Sequence, residues 1–167
     1  MDERLKIRVS VQQWPTKNPV YFKPDGRRFS YPDTLKLRAD SAYLVQTLIS
    51  PGRTLTAMQI RGQTLLLSRL KAGLRHGDSV QYSAIWTTTG YEVNKKGTRT
   101  LLPIVLELKG ENIVLAMVQC KIYPGEGSGG HWQWGQPLRA IELECSAASD
   151  GSYIDVLRQS LTGRRMF

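Results

Sequence analysis

Leu5-Lys6-Ile7-Arg8-Val9-Ser10-Val11-Gln12 carries the clearest pattern in the chain. Apolar and polar residues alternate through all of it. In a strand, successive side chains point to opposite faces, so Leu5, Ile7, Val9 and Val11 face one way and Lys6, Arg8, Ser10 and Gln12 the other. The same period recurs in Val80, Tyr82, Ala84 and Trp86, set against Gln81, Ser83 and Thr87. It recurs again in Ile141, Leu143 and Cys145, set against Glu142 and Glu144. Such segments are half-buried antiparallel strands, one face on a core and one in water.

Three further stretches are apolar on both faces: Tyr43–Ile49, Leu101–Leu108 and Ile113–Ile122. They are expected as central strands covered on both sides. Buried helix competes for any short apolar run, but Pro103 and the β-branched residues favour strand, with Pro103 near a strand start or on an edge. Turn chemistry separates the segments. Lys23-Pro24-Asp25-Gly26, Ser50-Pro51-Gly52, His76-Gly77-Asp78, Lys96-Gly97-Thr98 and Lys109-Gly110-Glu111-Asn112 all read as turns, which assigns Asp25, like Asp33, a turn role. Pro124–Gly130 is rich in glycine and is expected as a mobile loop. Leu65–Leu74 fits a short helix or a strand with a loop equally well. The sum is roughly nine to eleven strands. The expected fold is all-β: a single-domain antiparallel β-sandwich or barrel of about ten strands over residues 1–167, with a short C-terminal tail from about 159.

The 167 residues suit one domain, long enough to bury roughly 70% of its extended-chain surface without disulfide or metal staples. The net charge of +9 attracts anionic partners such as an acidic peptide, nucleic acid or the inner membrane leaflet, with solubility as the plainer explanation. Cys120 and Cys145 match no CxxC pattern and sit in apolar stretches, which fits a reducing compartment and small buried hydrophobes. The start Met1-Asp2-Glu3-Arg4-Leu5-Lys6 lacks a signal-peptide core, and Asp2 excludes N-myristoylation. No run approaches the roughly 18 apolar residues of a membrane span. The expected location is the cytoplasm, at most peripheral to the inner face of the plasma membrane.

Catalysis needs titratable groups gathered in a pocket. The two histidines, His76 and His131, each sit beside glycine in an expected loop, without a second histidine at metal spacing. GxSxG and Walker motifs are missing, and Glu142 and Glu144 read as a solvated strand face. No enzyme, metal or cofactor is therefore expected. Nucleic-acid binding competes on charge alone. Arg27, Arg28, Phe29 and Tyr31 come nearest to its basic and aromatic interleaving, but no RNP motif is present and a polar turn before a core-facing Phe29 explains the segment. The most unusual stretch is His131-Trp132-Gln133-Trp134-Gly135. On a strand, two tryptophans two apart share a face. Trp134 is expected to plug the core, while Trp132 is either core or an interface anchor.

At these residues the chain resembles the cannabinoid receptor-interacting proteins, small cytosolic partners of the type 1 cannabinoid receptor tail. The resemblance is carried first by Pro19-Val20-Tyr21-Phe22-Lys23-Pro24-Asp25-Gly26-Arg27-Arg28-Phe29, then by Leu35-Lys36-Leu37, Tyr43 and Ile49-Ser50-Pro51. It continues through Val80, Tyr82, Trp86, Thr88, Gly90, Lys95, Gly97 and Arg99 at the family spacing. It ends with Lys121, Tyr123, Gln133-Trp134-Gly135, Pro137, Ile141-Glu142 and Glu144-Cys145.

The resemblance implies a β-barrel or sandwich similar to the Rho guanine-nucleotide dissociation inhibitors. It also implies a non-enzymatic adaptor that binds a G-protein-coupled receptor's C-terminal tail peptide and modulates its signalling toward G proteins and calcium channels. A lipidated protein or a G protein is a further candidate partner. The alternative function is a carrier of lipid or lipidated protein in an apolar interior, against which stands a filled core. Two departures stand out. The chain ends Arg165-Met166-Phe167, where vertebrate members end in a PDZ-type ligand, and the 124–130 loop is glycine-rich rather than polar and charged. The candidate partner-binding residues are Lys95, Lys96 and Arg99, placed around a hairpin turn to receive carboxylates, with Trp132 and Trp134 beside the glycine-rich loop.

Overall fold

The computed structural model describes residues 3–70, 78–110, 112–126 and 130–164. Among the described residues the chain forms strands and one 3-10 turn, at Gly130–Gln133, and no α-helix. The strands are β1 (Glu3–Gln13), β2 (Tyr21–Pro24), β3 (Asp33–Arg38), β4 (Ala42–Ser50), β5 (Leu55–Ile60), β6 (Gln63–Thr64), β7 (Ser68–Arg69), β8 (Val80–Thr87), β9 (Thr100–Leu108), β10 (Asn112–Tyr123), β11 (Gln136–Ala147) and β12 (Ile154–Gly163). They pair in the order β6-β5-β9-β10-β3-β2-β11-β1-β4-β8-β7, with β12 branching from β11. The sheet curls on itself into an open half-barrel.

The all-β reading holds, and so does the alternation. Leu5, Ile7, Val9 and Val11 are buried, as are Val80, Tyr82, Ala84 and Trp86, and Ile141, Leu143 and Cys145. Leu5 to Val9 lie opposite Cys145 to Ile141, which zips two alternating segments into one antiparallel ladder. One pairing departs from the antiparallel expectation. β10 runs parallel to β3, with Cys120 opposite Leu35 and Tyr123 opposite Arg38. These strands lie far apart in sequence, so no hairpin dictates their direction. Both cysteines are buried and free, as small hydrophobes.

The expectation of strands covered on both sides fails for β9 and β10. Leu101, Ile113 and Leu115 are 44%, 53% and 54% exposed. Their partners of opposite parity, such as Leu102, Val114 and Ala116, are buried. The period of two dominates even where the outward positions are apolar, and an apolar stripe is left on the surface.

Gln159–Gly163, expected as the start of a tail, form the second half of β12, paired with Leu143 to Leu138 of β11. Arg165-Met166-Phe167 lie outside the described residues, as do 71–77 with His76, and 127–129 of the glycine-rich loop. Leu65–Leu74, left open between helix and strand, contributes a buried Leu65 and the short β7.

Where the sheet curls over, β12 approaches β10 without joining its ladder. The Gln159 side-chain amide donates to the Met117 carbonyl at 2.5 Å across this seam. A cavity of about 30 Å³ lies there, lined by residues that include Tyr31, Val118, Gln119 and Leu161. That is room for a water molecule or two, not for an acyl chain.

Candidate functional site

Alternation along β2, β3 and β10 projects Tyr21 and Lys23, Thr34, Lys36 and Arg38, and Gln119, Lys121 and Tyr123 onto one outer face. Register then brings the lysines together. Lys121 lies opposite Lys36, Lys36 opposite Tyr21, and Lys23 opposite Thr34. Neighbouring strands are about 4.8 Å apart, so three ammonium groups from three adjacent strands crowd one patch.

Beneath them sits a buried ion pair. The side chains of Asp25 and Arg99 are each 5% exposed, and Arg99 Nη2 lies 3.0 Å from Asp25 Oδ2. Arg99 Nε donates to the same oxygen at 3.0 Å. Thr34 Oγ1 donates to it as well. Lys23 Nζ stands 3.7 Å from Oδ1. The Gln119 amide closes the network, donating to Thr34 Oγ1 at 2.9 Å and to the Tyr31 carbonyl at 3.0 Å. The Arg99 guanidinium lies over the Phe29 ring at 4.2 Å, and Arg28 over the same ring at 5.1 Å. Burial pushes the Asp25 carboxyl up, but the hydrogen bonds from Thr34 and Arg99 and the cationic charges outweigh it and hold it below the usual range. Asp25 is the turn residue expected, its carbonyl accepting from Arg28 N–H at 3.2 Å, and its side chain is in addition the hub of a cation cluster. Arg99, expected to receive a partner's carboxylate, already holds one of the chain's own.

Lys36 is 6% exposed. Its ammonium donates to the His131 carbonyl at 2.8 Å and also to the Trp134 carbonyl. Burial, reinforced by Lys23 and Lys121, lowers its pKa to about 8. Lys121 is shifted down for the same reasons, burial first and then Arg99 and Lys23. Tyr123 presents its ring to both lysines, at 5.9 Å from Lys36 and 5.1 Å from Lys121.

Lys36 thereby pins the segment that carries both tryptophans. This segment is not a strand: Trp132 lies in the 3-10 turn and Trp134 directly after it, so strand alternation does not assign the two rings a common face. Trp134 does not plug the core. It is 60% exposed and packs its ring against His131 at 4.0 Å. Trp132, half-buried, lies against the Arg38 guanidinium at 4.5 Å. The extended backbone of β10 ends at Tyr123, before the tryptophans are reached, which is why strand parity misplaces them.

Lys95 and Lys96 are exposed, on a turn closed by Thr98 N–H donating to the Lys95 carbonyl at 3.0 Å. Asn94 docks this turn on β10: its N–H donates to the Ile122 carbonyl at 2.9 Å, and its side-chain oxygen accepts from Ile122 N–H at 2.7 Å. The end of β10 therefore carries the Lys95–Lys96 turn along one edge, while the tryptophan turn is pinned on β3 along the other. The arrangement offers cations and flat aromatic surface, and among the described residues no group of three His, Cys, Asp or Glu side chains stands where it could hold a metal.

The model of the family "CB1 cannabinoid receptor-interacting protein 1" matches residues 1–161. The chain belongs to this family. It is 32% identical over 161 residues to the rat protein of that name and 33% identical over 158 residues to the human one, with 94% of both chains covered in each comparison. The bovine protein is 31% identical over 161 residues.

Several positions that carry the resemblance to the CB1 cannabinoid receptor-interacting proteins prove to be the frame of this face. Thr88, fully buried, donates to the Arg38 carbonyl and accepts from Ser41 N–H at 3.0 Å, which fixes the end of β3. Gly135 has φ 137°, and a Cβ there would stand 2.5 Å from the Phe22 carbonyl oxygen, so only glycine lets β11 approach β2. Glu142, expected on a solvated face, is 14% exposed and lies 2.9 Å from Arg8 Nε and 3.9 Å from Lys6 Nζ. Among the described residues no helix is long and apolar enough to cross a membrane.

Proposed function

We propose that the chain is a non-enzymatic cytoplasmic adaptor that binds an acidic segment in the C-terminal tail of a cannabinoid-type G-protein-coupled receptor and modulates its signalling. The names of its relatives supply the receptor class. The observation that carries the reading is the exposed pair Lys95 and Lys96 on a turn docked on β10, together with the exposed Trp134 on a segment pinned by Lys36 of the neighbouring β3. Acidic side chains of a tail would pair with the two lysines while an apolar or aromatic one rests on Trp134. The buried cations behind them steer the approach.

The test is fluorescence anisotropy with labelled receptor-tail peptides. Lys95→Glu with Lys96→Glu should weaken binding about tenfold or more, and Trp134→Ala by a similar factor. Tail binding that ignores both variants would refute the site.

The second reading, a carrier of lipid or lipidated protein, requires the seam between β10 and β12 to open. With about 30 Å³ free, the seam must open for a chain to enter, and Gln159 is the side chain that latches it. Myristoylated or prenylated peptides should then quench tryptophan fluorescence, and more readily in Gln159→Ala. Silence across chain lengths would remove this reading.

A further inference from the structure

The cation cluster at the middle of the face is larger than the tail reading requires. Lys23, Lys36, Lys121, Arg28 and Arg99 lie within electrostatic reach of one another around the carboxylate of Asp25, whose two oxygens are already engaged by Arg99, Thr34 and Lys23. Arg99 and Lys36 are buried and spoken for. Lys23, Lys121 and Arg28 reach solvent. Five cations here stand against the carboxylates of Asp25 and Asp33, so positive charge is left over among the described residues, and the affinity of Lys36 and Lys121 for protons is lowered first by burial and then by the neighbouring cations. The same outer face continues along β9 and β10 as the exposed aliphatic stripe Leu101, Leu115 and Ile113, ending at Glu107 opposite Ile113.

We propose that this face docks on a membrane surface, with Lys23, Lys121 and Arg28 holding the phosphomonoesters of a phosphorylated inositol headgroup and Leu101 and its neighbours resting on the lipid. The charge arithmetic selects the ligand. A carboxylate or a phosphodiester brings one negative charge and leaves the cluster repulsive. A phosphomonoester brings up to two negative charges and three acceptor oxygens, which the donors of Lys23, Lys121 and Arg28 can share. The aliphatic stripe selects the source: a soluble inositol phosphate has nothing to offer Leu101, Leu115 or Ile113, whereas a bilayer does. The site shares its face with the tail-binding reading but does not depend on it, because it uses neither Lys95, Lys96 nor Trp134.

The test is sedimentation of the full chain alone, without any tail peptide, with vesicles of neutral phosphatidylcholine. A second set carries phosphatidylserine, and a third carries phosphatidylinositol 4,5-bisphosphate at the same total charge. Binding should be strongest to the third set. Lys23→Ala with Lys121→Ala should weaken it about tenfold or more. Arg4→Ala with Lys109→Ala, which removes the same charge elsewhere on the surface, should change it less than threefold. Leu101→Ser should weaken vesicle binding and leave binding of soluble inositol 1,4,5-trisphosphate unchanged. Equal binding to phosphatidylserine at matched charge would overturn the phosphomonoester assignment. Equal affinity for soluble trisphosphate and vesicles would overturn the membrane assignment. Circular dichroism of each variant separates lost binding from lost folding. Loss of tail binding in Lys95→Glu with Lys96→Glu, with vesicle binding retained, separates the two sites.

Discussion

Removing Asp25 should cost more than removing Arg99, although the two form one ion pair. Each side chain is 5% exposed and the paired atoms are 3.0 Å apart. At an effective dielectric near 20 such a contact is worth about 5 kcal/mol before desolvation is subtracted. Truncating one partner of a buried pair typically costs about 3–5 kcal/mol, because a charge is left buried without its counterion. The two truncations are unequal here. Arg99→Met leaves Asp25 with Lys23 at 3.7 Å and the Thr34 hydroxyl, so its cost should lie near 3 kcal/mol. Asp25→Asn removes the carboxylate that Arg99, Lys36, Lys121 and Lys23 all feel, so its cost should lie near 5 kcal/mol. Taking both partners away should be less than additive by at least about 2 kcal/mol.

The assay is urea or thermal unfolding followed by circular dichroism. For a chain of this length each kcal/mol moves the midpoint by about 2–4 °C, so the pair predicts a loss of roughly 6–12 °C for Arg99→Met and 10–20 °C for Asp25→Asn. The pH dependence has a definite sign. The folded Asp25 carboxyl titrates below its ordinary value of 3.8, so its contribution is present at neutral pH and is lost as pH falls below about 4. Asp25→Asn should flatten that acid limb. Raising salt should narrow the gap between the two variants, since the extra cost is lysine repulsion. A smaller loss for Asp25→Asn than for Arg99→Met, or strict additivity in the double variant, would refute the account of one carboxylate holding several cations.

Trp134→Ala should change stability by less than about 1 kcal/mol, because the ring is 60% exposed, while Trp86→Ala, at 1% exposure between Tyr43 and Tyr91, should cost about 3–5 kcal/mol in the same unfolding assay. Gly135→Ala should destabilise by about 2 kcal/mol or more, since its Cβ meets the Phe22 carbonyl at 2.5 Å at a φ that side chains rarely adopt; a neutral result would mean that β11 can draw back from β2. Lys36 should titrate near pH 8 in side-chain NMR. Between pH 8 and about 10 the folded chain has released a proton that the unfolded chain still holds, so its contribution to stability rises with pH there, and Lys36→Met should remove that rise.

The division between what the sequence reveals here and what it conceals follows the range of the interactions. Parity is local. Each residue of Leu5–Val11 is assigned a face by its immediate neighbours, and all four apolar members are buried as assigned. The charge field of the candidate site is not local. Asp25 meets Arg99 across 74 residues, and Lys36 meets the Trp134 carbonyl across 98. Parity places Lys36 outward between Leu35 and Leu37, and outward it is; burial comes from a turn supplied by a distant part of the chain. Arg99 beside Lys95 and Lys96 reads as one basic turn, yet the turn divides its cations between a solvent-facing pair and a buried strut. The tryptophans fail for a different reason: parity applies only to extended backbone, and Gly130–Gln133 is not extended. The divide bears on function as well as on fold. A local period fixes which residues reach a surface, but the binding strength of that surface is set by which charges have already been neutralised from elsewhere. On this chain that residue of unneutralised charge appears only once β2, β3 and β10 are aligned in register and Asp25 is seen to be shared.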